Sequence, residues 1–501
     1  MSKVSKNRFV STIDPMCDST PASMLSKSYR RSRIVVVVAL ALGAAACTMA
    51  PRYERPPAPV PDEWTAPMNA PATAAKEGET IQSLAWREFV LSPKLEGLIE
   101  LALANNRDLR VAALNVERTR ALYRIQRANL LPNADVAGSL RRERIPPSLA
   151  TPGREGVVEQ YSASVGAAFE LDLFGRLRSL NRAALEDFFA QESTRRSVHI
   201  SLIAEVAQMF LQTANDLALK ELAENTARNQ EEWFALTQER HRLGAASGLE
   251  LSQAETQVES ARADLARYEG DVARDLNALR LLVGTNIPDS LLPTSSDAQT
   301  ALLASVPVGL PSQVLLNRPD ILAAEHTLKA ANANIGAARA AFFPSITLTG
   351  SAGYISPELS GLFDSENRTW SFVPQISMPI FQGGRLWAGL NVARADKQIA
   401  LARYEQSIQI GFQEVSDALA LTGTLARQRM AQERLVNASA RAFELSQARR
   451  EAGQDSYLTL LDAQRSYYAA QQGLIATRLA EQSNLVALYR ALGGGWEDGS
   501  S

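Results

Sequence analysis

Residues 451–464 read EAGQDSYLTLLDAQ, and residues 242–255 read RLGAASGLELSQAE. Offset by 209 positions, Gly453 repeats Gly244, Ser456 repeats Ser247 and Leu458 repeats Leu249. The same offset pairs Gly175, Arg176 and Leu177 with Gly384, Arg385 and Leu386, Glu205 and Val206 with Glu414 and Val415, and Gly284 with Gly493. Upstream, residues 105–139 align with 317–351 at an offset of 212, which pairs Asp108 with Asp320, Pro132 with Pro344 and Gly138 with Gly350. A register held over such a length marks an internal duplication. The two offsets differ by three residues, taken up between two strands.

Each copy predicts the same order of elements. A helix of about 35 residues runs to Pro132 or Pro344, two strands follow, a very long helix reaches Gly244 or Gly453, and a helix returns to Gly284 or Gly493. Proline at the switch removes a backbone donor and biases its predecessor toward extended geometry. The long helices carry apolar residues at alternating spacings of four and three, as in Ile203, Ala207, Phe210, Ala214 and Leu217, and again in Ile408, Phe412, Val415 and Leu419. That is the pattern of coiled-coil-like packing. From Arg176 to Gly244 such a helix spans about 100 Å at 1.5 Å per residue, more than a compact domain needs. The lengths fit four helix columns per chain in a long barrel or bundle.

The strands alternate. YSASVGAAFELD (161–172) sets Tyr161, Ala163, Val165, Ala167, Phe169 and Leu171 on one face, with Ser162, Ser164, Glu170 and Asp172 on the other. WSFVPQISMPI (370–380) repeats this with Trp370, Phe372, Ile376, Met378 and Ile380, and further strands are expected near 133–142 and 345–354. Ten-residue strands of this kind suit a transmembrane β-barrel, or a small soluble sheet with one buried face. In lipid, four strands leave open edges that are not tolerated, so the chain must oligomerise. Three copies supply twelve strands and two supply eight.

The chain has 501 residues, and its 52 Lys and Arg nearly balance 54 Asp and Glu, so no basic field points to nucleic acid. From Met24 the sequence has a basic stretch (Lys27, Arg30, Arg31, Arg33) and then 13 apolar residues from Ile34 to Ala46. This is a signal peptide, too short to span a bilayer. The start is expected at Met24, with residues 1–23 an over-extended start or an untypical leader. GAAAC, ending at Cys47, resembles a bacterial lipobox, with Ala44 where leucine is usual. Ordinary cleavage beside a chance cysteine is the alternative. If Cys47 is lipidated, Thr48 in place of Asp implies export to the outer membrane, and two or more acyl chains give stable anchoring. The segment that follows, TMAPRYERPPAPVPDEW, is Pro-rich and reads as an extended strap.

With these motifs in order, the mature chain resembles the outer-membrane efflux channels of the TolC type, especially the OprM- or NodT-like lipoprotein branch. The segments that carry the resemblance are PRYERPPAPVPDEW, FELDLFGRLRS (169–179), YLTLLDAQRSYYAAQQGLIATRL (457–479) and ALGGGW (491–496). The implied fold is mainly α with transmembrane β. Duplicated long α-helical hairpins would form a trimeric α-barrel, capped by a 12-stranded outer-membrane β-barrel with four strands from each chain. The chain then divides into signal peptide (1–46), lipidated strap and equatorial segment (47–95), first repeat (96–284), equatorial connection (285–312), second repeat (313–493) and tail (494–501).

The resemblance places both quoted stretches at the periplasmic tip. Gly244, Ser247, Gly453, Asp455 and Ser456 would lie on the surface offered to a hexameric periplasmic adaptor. As simple hairpin caps, the glycines and serines need no further role. Leu458 and Asp462, one turn apart on one helix face, would line a gate: three leucines an apolar plug, three aspartates a hydrated, cation-favouring ring. Thr459 stands where some channels of this type carry a second aspartate. Leu249 and Gln253 hold the equivalent places in the first copy, and this asymmetry makes the second hairpin the more mobile. A solvated Asp462 on a helix surface is the plain alternative.

The implied function is a passive exit duct for drugs or small amphiphiles. An inner-membrane resistance-nodulation-division pump would deliver them through the adaptor, with no cofactor beyond the covalent N-terminal lipid. A duct for metal ions, peptides or polysaccharide is the alternative within the channel class. A lipid-anchored periplasmic coiled-coil scaffold is the alternative outside it. Catalysis finds little support, because His199, His241 and His326 are scattered and no phosphate-binding glycine loop follows a strand.

Overall fold

The computed structural model describes residues 48–64, 86–146, 148, 156–300, 302–304 and 312–494. The signal peptide, Cys47 and the tail beyond residue 494 lie outside the described residues. The chain separates into a strand unit (134–176 and 340–379) and a helical unit (50–133, 177–339 and 380 onward).

In the helical unit the first copy contributes α1 (Pro93–Asn105), α2 (Arg107–Ala128), α3 (Arg176–Arg242) and α4 (Gly248–Val283). The second copy contributes α5 (Pro319–Ala340), α6 (Arg385–Glu451) and α7 (Tyr457–Ala491). The duplication survives in the lengths: α3 and α6 both have 67 residues, and α2 and α5 both have 22. None of the described helices is long and apolar enough to cross a membrane.

The helix expected to run unbroken to each proline is interrupted in both copies. In the first, Asn106 separates α1 from α2: its side-chain oxygen accepts from Leu109 N at 2.9 Å, and its Nδ2 donates to Leu282 O at 2.8 Å. An asparagine in this N-cap role starts a new helix rather than continuing the old one. In the second, Pro319 opens α5 after a 3₁₀ stretch, Ser312–Asn317, because a proline within a helix would remove a backbone bond.

The core gathers the apolar stripes of α3 and α6 with α1, α4 and α7. Ile203, Phe210, Ile408 and Val415 are buried as their spacing predicts, beside Leu95, Leu98, Leu279 and Tyr489. Phe89 stacks on Tyr489 at 4.2 Å. The Pro-rich strap packs along α5. Tyr53 and Arg55 donate to buried Glu325, Asn332 Nδ2 donates to Pro51 O at 2.8 Å, and Trp64 stacks on Phe412 at 4.7 Å. Gly336 makes the close approach possible, since a Cβ there would stand 2.7 Å from Ala50 N.

Between α3 and α4 lies a carboxylate pair. Buried Asp216 accepts from Gln212 at 3.0 Å and Asn215 at 3.1 Å. Burial and the Asp216 charge push Asp275 up to about 6, with Asp271 adding to the shift and Arg274 opposing it. A carboxyl raised above its ordinary value binds its proton more tightly in the folded state. Stability therefore falls as pH rises from the ordinary carboxylate range through about 6. Asp275→Asn is expected to raise the unfolding temperature at about pH 7.5 and to leave it nearly unchanged at about pH 4.5. Thermal unfolding of the purified protein at both pH values checks this, and an equal gain at both would refute it.

In the strand unit, β1 (Asn133–Ile145), β2 (Gly156–Leu171), β3 (Ser345–Ser356) and β4 (Arg368–Ser377) form one sheet in the order β1-β2-β3-β4. β2 pairs antiparallel with β3, and β3 with β4. β2 begins earlier than the alternation predicts. β4 stops at Ser377, which pairs with Ser345, the first residue of β3 after Pro344, so Met378 and Ile380 fall outside it. The register aligns Leu171, Ile346 and Ile376 at the helix-connected end, and Ala163, Tyr354 and Arg368 toward the loops. On the other face run serines: Ser139 and Ser162 hydroxyls lie 2.7 Å apart, and those of Ser351 and Ser371 2.8 Å apart. One face is therefore apolar and the other hydroxylated, the alternation of a strand between lipid and water.

Candidate gate at the hairpin tips

Both long helices end in the same turn. Ala245 N donates to Arg240 O at 2.7 Å and Gly244 N to His241 O at 2.9 Å, while Gln454 N donates to Arg449 O at 2.8 Å and Gly453 N to Arg450 O at 3.0 Å. This is the Schellman arrangement, in which the residue after the helix turns left-handed. Gly244 has φ +74° and Gly453 has φ +69°, a conformation that costs glycine least.

Beyond the turn the two copies diverge. Ser247 caps α4 in a full capping box, accepting from Glu250 N at 3.2 Å while Glu250 accepts from Ser247 N at 3.1 Å. Ser456 caps α7 by accepting from Thr459 N at 3.2 Å, but threonine at that position cannot complete the box. Asp455 instead pairs with Arg449 at 2.9 Å, and this contact holds its carboxyl below the usual range.

The two hairpin tips are joined. The second carboxylate oxygen of Glu250 accepts from Arg450 Nη2 at 2.9 Å, with both side chains partly buried. The Arg450 guanidinium sits 5.9 Å above the Tyr457 ring, which itself stacks on Trp233 at 6.1 Å. Farther from the tip, Arg465 donates to Gln257 at 3.2 Å, Tyr468 to Asp264 at 3.3 Å, and Gln472 to the Tyr268 hydroxyl at 3.1 Å. A polar ladder thus runs between α4 and α7.

This packing decides which side of α7 is left free. Tyr457, Leu460 and Leu461 are buried, whereas Leu458 is 53 % exposed and Asp462, one turn later, is exposed as well. In the first copy Leu249 is 68 % exposed, but Gln253 is only half-buried. Leu458 and Asp462 therefore share an open face, as their spacing predicts. The ladder residues Glu250, Arg450, Gln257 and Arg465 were not singled out by the sequence. One signal was available: the duplication aligns Arg450 with His241 and Glu250 with Thr459, so this ion pair has no counterpart in the other direction.

The family model of the outer membrane efflux protein matches the chain twice, over residues 98–285 and 310–494, one match to each copy. The chain belongs to the outer membrane efflux protein family. It is 48% identical over 465 residues to the toluene efflux pump outer membrane protein TtgC of Pseudomonas putida, covering 92% of this chain and 95% of that one. It is 44% identical over 467 residues to the outer membrane protein OprJ of Pseudomonas aeruginosa, covering 93% and 96%. Among solved structures, the open state of the Neisseria gonorrhoeae MtrE outer membrane channel superposes with a TM-score of 0.81 at 37% identity, covering 91% of this chain and 100% of that one. This efflux protein is accordingly an outer-membrane channel with helical and β-barrel parts that extends into the periplasm. It is a duct rather than an enzyme.

Proposed function

We propose that three copies of the chain close a twelve-stranded barrel and a continuous helical duct, through which drugs or other small amphiphiles leave the cell. The observation that carries this reading is the sheet: four strands with an apolar face and two unpaired edges, β1 and β4. In lipid each edge would expose unpaired N–H and C=O groups, so the edges must meet those of other copies. Toluene and antibiotics appear in the names of relatives, as in the antibiotic efflux pump outer membrane protein ArpC of Pseudomonas putida. Amphiphiles of that class are the cargo we assign. A resistance-nodulation-division pump supplies it, through a periplasmic adaptor that docks on Gly244, Ser247, Gly453, Asp455 and Ser456. Lipidation at Cys47 fits the strap, whose packing along α5 begins three residues later at Ala50.

In this reading Leu458 and Asp462 close the tip. Three copies of Leu458 exclude water, and three copies of Asp462 admit hydrated cations. The test is single-channel conductance in planar bilayers. The wild type is expected to conduct weakly, and Leu458→Ala with Asp462→Ala is expected to raise conductance several-fold and reduce cation preference. If neither protein conducts while both are folded and inserted, the duct reading fails in favour of an anchored scaffold.

A further inference from the structure

The outward face of the sheet carries charge at one end only. Residues of alternate parity share a face in a strand, so Val136, Gly138, Leu140, Arg142 and Arg144 of β1 lie together. Arg142 confirms the side, since it pairs at 3.0 Å with Glu159 of β2, two positions from Tyr161 on the apolar face. Below these arginines the face is apolar: Val136 is 82 % exposed, and Leu140, Val165, Phe372 and Ile376 are exposed with it. Tyr161, Tyr354 and Trp370 lie toward the loop end of the same face, and Arg368 pairs across from Tyr354 as the first residue of β4. From Leu171 to Ala163 the apolar stretch covers about 26 Å along the strand at 3.3 Å per residue, the scale of an outer-membrane hydrocarbon band flanked by aromatic residues.

We propose that Arg142 and Arg144 form a binding surface for the phosphate groups of outer-leaflet lipopolysaccharide. The proposal rests on the sheet crossing the outer membrane and closing with other copies. In that reading the strand ends joined by chain connection to the helices face the periplasm and the loop ends face outward, so arginines just past the apolar band meet the headgroups of the outer leaflet. Those headgroups carry phosphate monoesters, which guanidinium groups bind through paired N–H donors. A charged side chain on the lipid face is tolerated at the interface, which is where Arg142 and Arg144 stand, and not at the midplane. The acidic group among them is Glu159, which accepts from Arg142 and from the Tyr161 hydroxyl at 3.2 Å. Exposed pairs of this kind are weak, so phosphate can displace that contact. Arg144 has no side-chain partner among the described residues. Arg141, on the opposite face, pairs with Glu143 at 2.7 Å and points away from lipid.

The test is native mass spectrometry of the full-length protein in detergent, titrated with lipid A bearing both phosphates and with the same lipid freed of them. Diphosphorylated lipid is expected to bind at least several-fold more tightly. Arg142→Ser with Arg144→Ser should weaken it on the order of fivefold per arginine, the scale for a basic residue near anionic headgroups. Arg141→Ser should leave it unchanged, and Arg142→Lys with Arg144→Lys should keep most of it. Planar-bilayer conductance of the serine variant should equal that of the wild type, which separates this proposal from the duct reading. Equal binding of the two lipids, or equal loss in Arg141→Ser, overturns it. So does displacement of the lipid by millimolar inorganic phosphate, which would identify a free-phosphate site instead.

Discussion

Arg318→Ala is expected to destabilise the helical unit by about 1.5–3 kcal/mol, the scale of hydrogen bonds between a buried cation and charged partners that stay partly solvated. The Arg318 side chain is only 8 % exposed and contacts Asp320 at 2.7 Å, Glu414 at 2.9 Å and Ala491 O at 2.6 Å. It thereby ties the start of α5 to the middle of α6 and the end of α7. Two glycines leave it room: a Cβ at Gly411 would come within 3.3 Å of its Nη1, and one at Gly493 within 3.0 Å of its Cγ. Removing the guanidinium leaves Glu414 with only its longer contact to Arg490 at 4.0 Å and the Ala491 carbonyl without its donor. Thermal unfolding of the purified protein measures the loss. Adding Glu414→Gln to Arg318→Ala should recover part of it, because the neutral amide is cheaper to leave in place. No recovery would mean that the loss comes from packing rather than charge.

This contact also shows how the duplication was legible and where it was not. The offset of 212 pairs Asn106 with Arg318, and the offset of 209 pairs Leu282 with Ala491. In the structure Asn106 donates to Leu282 O, and Arg318 donates to Ala491 O. The two copies conserve the joint between the first helix and the end of the return helix, with different side chains making it. The repeat, the proline switches and the strand alternation could be read because each depends on local spacing. The helix break at Asn106 could not, because an asparagine within a polar helical stretch becomes a cap only when a distant carbonyl, here that of Leu282, holds its amide. At the tips, the turn glycines and capping serines were readable for the same local reason. The Glu250 to Arg450 contact spans 200 residues and has no echo in the other copy, so only the packing of α4 on α7 reveals it.

That same contact sets the second large effect: Arg450→Ala is expected to convert a channel that is mostly closed into one that is mostly open. Each copy would lose a charge-assisted hydrogen bond to Glu250, together with a cation–π contact to Tyr457. Such a partly buried link contributes about 1.5–3 kcal/mol. Three links in the proposed trimer then sum to about 5–9 kcal/mol of bias toward the joined state. Moving an equilibrium from 1:99 to 99:1 takes about 5.5 kcal/mol, so losing all three is enough to change the resting state. Single-channel recording should show a rise of an order of magnitude in open probability. Glu250→Ala should reproduce it, because it breaks the same bond from the other hairpin. The charge-swapped pair, Glu250→Arg with Arg450→Glu, should restore much of the closed state. A swap that stays open while the protein remains folded and inserted would mean that the ion pair holds the hairpin fold and not the junction between hairpins. The ladder of Gln257 with Arg465 and Asp264 with Tyr468 lies farther from the tip and joins a guanidinium to a neutral amide and a phenol to a carboxylate, with no ion pair. Arg465→Ala should therefore have a smaller effect than Arg450→Ala, which places the decisive latch at the first turn of α4.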